Sequence, residues 1–263
     1  MKKFVIFLLF IVFLCGCSNT YKTGAGAEIE NLSNKKFEWG LKKNPNAAPD
    51  INPGSGEILA KYGAYYMGDA NSKDVFLTFD EGYENGYTAE ILDVLKSHQV
   101  PACFFVTGPY LENEPELIKR MLDEGHEVGN HTVNHPSMPS VKTVAELENE
   151  MLDLDRQLFS LTGKTMKFMR PPKGEYSEKS LATTKSLGYK TVLWSLAYED
   201  WDVNKQKGSQ YVYNAVMDNI HGGAIILMHA VSKDNAEALD QIITDIKASG
   251  YEFKSLNELP EMQ

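Results

Sequence analysis

Short apolar runs alternating with amphipathic segments predict an α/β chain with parallel strands, closed or nearly closed into an irregular, seven-stranded (β/α) barrel. Three observations carry that expectation. Apolar runs recur at residues 75–79, 102–107, 127–129, 167–169, 191–195, 224–228 and 251–254. Between them lie segments of helical length and spacing, at 88–98, 115–124, 144–161, 177–187, 210–221 and 235–248, several of them closed by glycine (Gly125, Gly188, Gly250) as helix C-termini often are. The alternating stretch runs to about 190 residues, slightly short of eight full β/α units, which is why seven strands are expected.

Within that pattern, polar residues fall repeatedly at one structural position. Asp80 follows the first run, His131 the third, Arg170 the fourth, Asp200 the fifth after a short loop, and His229 the sixth. In β/α barrels the C-terminal ends of the strands carry the chemistry. Five polar residues meeting at that face point to an active site.

The residue types then narrow the chemistry. His131-Thr132-Val133-Asn134-His135 places two histidines at i and i+4, on one face of an expected helical turn, where they can grip one divalent metal. Asp80-Glu81, at the end of a hydrophobic run, supplies two adjacent carboxylates, one able to ligate and one to act as base. A metal with protein ligands and an open position activates water. The pattern therefore predicts a metal-dependent hydrolase.

Composition limits the partners. The 263 residues fit one large domain or two small ones, and 43% hydrophobic content with 11% aromatics is enough for a sizeable core. The formal net charge is −10, and argues against nucleic acid as a partner. Residues 1–17 read as an export leader: Lys2 and Lys3 precede an apolar run at 4–14, too short to span a membrane comfortably. Leu14-Cys15-Gly16-Cys17 resembles the bacterial lipobox, which makes Cys17 a lipid anchor and leaves Cys103 as the only thiol of the mature chain, without an internal disulfide. Residues 18–56, rich in Asn, Lys, Gly and Pro, read as a tether and a loosely packed extension, in which Phe37, Trp39 and Leu41 alternate and can pack on the main domain at 57–263.

Five segments, in order, resemble the motifs of the polysaccharide deacetylase (NodB-homology) family, carbohydrate esterase family four. They are Thr78-Phe79-Asp80-Glu81-Gly82, the two-histidine segment at 131–135, Arg170-Pro171-Pro172-Lys173-Gly174, Asp200-Trp201 and Leu227-Met228-His229. The resemblance covers about residues 74–257. It departs at Glu81, where the family has a metal-binding Asp, at Lys173, where it has an aromatic, and at Ala197, where it has another Asp. Together with residues 83–87 and 228–236, the Arg-Pro-Pro-Lys-Gly segment is similar to one subgroup, the peptidoglycan N-acetylmuramic acid deacetylases that initiate muramic δ-lactam synthesis in the spore cortex.

This resemblance implies a deformed TIM barrel, and a role for each matching residue. His131 and His135 would hold one divalent metal, with zinc best suited and manganese, cobalt or magnesium open. Asp80 would be the general base, oriented by Arg170. His229 would protonate the departing amine, with Asp200 holding its ring and raising its pKa. Either Glu81 ligates through a shifted backbone, or it turns away and leaves the two histidines. Backbone amides near 172–174 would stabilise the oxyanion. Trp201 would wall the acetyl pocket, or else be a core aromatic. Lys173 and Gly174 would contact substrate, Lys173 through the lactyl carboxylate of peptide-stripped muramic acid. A monomer at the outer face of the cell membrane or forespore envelope, acting on peptidoglycan, is the expected setting. A peptidoglycan or poly-N-acetylglucosamine deacetylase is the alternative, and a non-catalytic glycan-binding lipoprotein is a third reading.

Overall fold

In the computed structural model the structure describes residues 28–260. The leader, Cys17 included, lies outside them.

The longest ladder is built where the sequence is most uniformly apolar. Strand β4 (Asp74–Glu81) pairs in parallel with β10 (Ala224–His229) on one edge and with β5 (Ala102–Val106) on the other. Strands β6 (Glu127–Asn130), β7 (Phe168–Met169) and β9 (Lys190–Thr191) extend the sheet in the order β10-β4-β5-β6-β7-β9, all parallel, and β11 (Glu252–Phe253) joins the start of β4. All seven expected strands are present. The fifth is shorter than expected: regular pairing stops at Thr191, and the following residues reach β10 through Ser195 and the parallel bridge Leu196↔Ile226. That bridge, with Leu196 N–H on Ile225 C=O (3.2 Å) and Leu227 N–H on Leu196 C=O (2.9 Å), brings the curled sheet back onto its first strand.

Side-chain alternation sorts the strands into two layers. On β4, Val75, Leu77 and Phe79 face the helices and pack in the large outer core, whereas Phe76 joins Cys103, Phe105, Phe168, Val192 and Ile225 inside the barrel. Helix 144–162 illustrates how the outer layer is bought from sequence pattern. Its N-terminus is fixed by a capping box between Thr143 and Glu146, and it buries Leu147, Met151, Leu154 and Leu158, one stripe of a 3.6-residue period. Each such leucine stabilises the fold by about 1.5–3 kcal/mol through burial.

The N-terminal extension carries regular structure. Strand β1 (Phe37–Glu38) pairs antiparallel with β8 (Glu175–Tyr176), a hairpin of β2 (Leu41–Asn44) and β3 (Ala47–Ile51) follows, and then a helix at Ser55–Lys61. Trp39 and Leu59 pack with Ala64, Tyr176, Leu181 and Leu193 in a third cluster.

Candidate active site

Because β4 and β10 pair with Asp80 opposite His229, two of the expected residues are neighbours at the strand ends by register alone. Asp80 has the parity of Phe76 and so faces the barrel interior. Arg170, just beyond β7, reaches it from across the barrel, its Nη1 donating to Asp80 Oδ1 at 2.8 Å. The arginine is fully buried; its remaining donors satisfy the Val192 and Leu193 carbonyls at 3.1 and 3.2 Å, and Phe105 lies beneath its guanidinium, ring centroid 4.2 Å away. Burial alone raises the Asp80 pKa, but Arg170, helped by His131 and His229, outweighs it and holds the carboxyl below its usual range. The ionised Oδ2 stands 3.5 Å from His131 Nε2.

The histidine segment is not the expected helical turn. Thr132 and His135 have φ of 64° and 54°, which no α-helix contains. A network drawn from neighbouring elements replaces the helical bonds: Asn130 Oδ1 accepts from Thr132 N–H (2.9 Å), and Glu150 takes the N–H groups of Val133 and Asn134 at 3.0 and 2.9 Å. The rings still meet, with centroids 4.8 Å apart. His131 Nδ1 donates to the Arg170 carbonyl (2.8 Å), so Nε2 keeps its lone pair. Burial lowers both histidine pKa values, that of His135 to about 4 with help from its neighbour His131, so both rings are neutral and able to ligate.

Glu81 points elsewhere. One residue on from Asp80, it has the parity of Phe79 and faces the helix layer, fully buried, with neither carboxylate oxygen hydrogen-bonded among the described residues. Burial, then the charges of Glu84 and Asp80, push its pKa well up. Among the described residues no group of three His, Cys, Asp or Glu side chains is arranged to hold a metal. The two neutral imidazoles fit a divalent ion as a two-histidine site with positions left for solvent and substrate.

On the opposite wall His229 Nδ1 donates to Asp200 Oδ1 at 2.7 Å, and its backbone N–H to Asp200 Oδ2 at 2.8 Å. Burial lowers the His229 pKa, yet the Asp200 charge and hydrogen bond outweigh it and the net shift is upward. Asn235, which sequence reasoning assigned no role, donates to Asp200 Oδ2 (2.6 Å) and is itself oriented by the Tyr198 hydroxyl (2.8 Å). Its only signal in sequence was its place in the segment after His229.

Asp80, His131, His135 and His229 line one cavity of about 610 Å³, together with Gly82, Tyr83, Lys173, Trp194, Trp201, Leu227 and Val231, while Arg170 and Asp200 hold the lining Asp80 and His229 through hydrogen bonds. Trp201 is 54% exposed at the rim, its ring 5.9 Å from that of His229, so it is a wall and not a core aromatic. Lys173 is exposed and turns through φ 60°, followed by Gly174 at φ 66°. The expected amide cluster shrinks to one group. Pro172 has no N–H and that of Gly174 is spent on the Pro171 carbonyl (3.0 Å), leaving the Lys173 N–H without a partner among the described residues. Trp194 was not singled out from sequence; nothing distinguished it from a core tryptophan.

Known proteins share this architecture. The profile of the family described as polysaccharide deacetylase matches residues 67–192. The chain is 45% identical over 245 residues to the peptidoglycan-N-acetylmuramic acid deacetylase PdaA of Bacillus subtilis, covering 92% of this chain and 93% of that protein. The solved structure of Bacillus subtilis PdaA, a family 4 carbohydrate esterase, matches with a TM-score of 0.84 at 46% identity, over 87% of this chain and 98% of that one. A peptidoglycan-N-acetylglucosamine deacetylase PgdA of Listeria monocytogenes is 37% identical over 188 residues, 72% of this chain and 39% of that protein. With a relative this similar along nearly its whole length, the chain belongs to the polysaccharide deacetylase family, carbohydrate esterase family four.

Proposed function

We propose that this protein hydrolyses the acetamide of N-acetylmuramic acid in peptidoglycan, as a step towards muramic δ-lactam in the spore cortex. One observation carries the reading: the lining of a single cavity brings together an ionised Asp80, two neutral imidazoles and His229, whose ring Asp200 holds. His131 and His135 would hold a divalent ion, for which imidazole ligation favours zinc. When bound, such an ion supplies Lewis acidity towards the acetamide oxygen and the attacking water.

The chain's own residues supply the proton transfers. Asp80 keeps Oδ2 free while Arg170 occupies Oδ1, so the carboxylate can take a proton from the attacking water. His229, with Nδ1–H held by Asp200, presents Nε2 to the departing amine and protonates it. An amine leaves poorly without that proton. The free Lys173 N–H is available to the developing oxyanion.

Substrate choice rests on Lys173, the one Lys or Arg side chain among the cavity-lining residues. A charge-assisted contact to the lactyl carboxylate is worth roughly 1.5–3 kcal/mol, about ten- to a hundredfold in binding. Lys173→Ala should therefore weaken turnover of peptide-stripped muramic acid glycan by that factor and spare neutral N-acetylglucosamine oligomers. An equal fall on both substrates would refute the carboxylate role. Mass spectrometry of muropeptides after incubation with zinc-loaded protein tests the function itself: acetyl loss confined to glucosamine residues would favour the activity named for the Listeria relative. A non-catalytic lipoprotein would release no acetate from either sugar.

We further propose export and lipidation at Cys17, supported by the lipobox-like Leu14-Cys15-Gly16-Cys17. Cys17→Ala should move the protein from the membrane fraction to the soluble one. Unchanged detergent partitioning would rule that anchor out.

A further inference from the structure

We infer that Trp39 is a positioning residue of the active site, supplied by the extension that precedes the family-matched region; the inference rests on the deacetylase reading above. Its backbone N–H donates to the Gly174 carbonyl at 2.9 Å, directly continuing the β1–β8 pairing. Its indole N–H donates to the Trp194 carbonyl, also at 2.9 Å. One residue therefore holds both the Lys173–Gly174 turn and the Trp194 wall, and so fixes how the two pack together beside the cavity.

Both clients need holding. Lys173 sits in the left-handed region, which a residue with a Cβ occupies only when its surroundings enforce it. At Gly174 a Cβ would come within 2.9 Å of both the Trp39 Cβ and the Trp194 ring, so the three residues are packed to backbone contact. Trp194 is braced from the other side by the Arg170 guanidinium, 5.7 Å from its ring centroid. Shifting Trp194 changes the cavity wall first, because Arg170 is held independently by Asp80 and the Val192 carbonyl. The role is thus expected in substrate binding and not in the chemical step.

Trp39→Phe removes the indole donor and keeps the backbone bond. With peptide-stripped glycan, KM should rise about tenfold, the scale of one hydrogen bond lost with its partner left unpaired, while kcat stays within about twofold. Phe37→Leu is the control: it weakens the stacking of Phe37 on Tyr176 (centroids 5.6 Å apart) without touching either wall, and should lower Tm with KM unchanged. An unaltered KM in Trp39→Phe, or an equal rise in Phe37→Leu, overturns the assignment. Calorimetric binding of N-acetylmuramic acid separates this from the deacetylase reading. If the parent binds the sugar but releases no acetate, that reading fails, and a tenfold weaker Kd in Trp39→Phe still upholds the positioning role, whereas an unchanged Kd ends it.

Discussion

Asp80→Asn should lower kcat/KM for acetate release by about 10²–10⁴-fold, the usual cost of losing a general base. The substitution keeps the side-chain shape and an oxygen for Arg170, but no group at that position can then accept the proton. It leaves His131 and His135 in place, so zinc affinity measured calorimetrically should change little. It also leaves the fully buried Arg170 without its carboxylate, so Tm should fall although the circular dichroism spectrum persists. Near-parental acetate release by a folded, zinc-loaded variant would remove Asp80 from the mechanism.

The fold was legible where the period of the pattern was unambiguous. Strands β4, β5 and β10 are continuous apolar runs buried on both faces, and the expected helices match those formed to within a few residues. The elements missed were short or polar: the β2–β3 hairpin, the helix at Ser55–Lys61 and the helix at Gly108–Asn113, whose stability comes from docking and not from local pattern. In the site, motif order and strand-end position located Asp80, His131, Arg170, Asp200 and His229. The conformation of the histidine segment was not legible, because it is set by Asn130 and Glu150, which lie in other elements. Glu81 was legible in hindsight from parity: beside an inward Asp80 on an unbroken strand, the next residue must face outward.

The same buried pair makes Arg170→Met the most destabilising change expected at the site. Removing one partner of a buried ion pair costs about 3–5 kcal/mol, and at roughly 2–4 °C per kcal/mol for a domain of this size Tm should drop by about 10 °C. The sign of the pH dependence distinguishes lost charge from lost packing. In the parent, Asp80 has a depressed folded pKa, so its contribution is present above the unfolded value of about 3.9 and is lost as pH falls through the lower folded value. Without the guanidinium, burial is less opposed and the Asp80 pKa rises, so the variant is penalised as pH climbs above about 3.9. The Tm gap should therefore be widest near neutrality and narrow towards about pH 4, and the acid limb of any remaining activity should move to higher pH. Arg170→Lys keeps a cation but not the fork that also serves the Val192 and Leu193 carbonyls, so it should recover the parental pH dependence with only part of the lost Tm. Parallel Tm curves for Arg170→Met and the parent across that pH range would mean that Arg170 does not set the ionisation of Asp80.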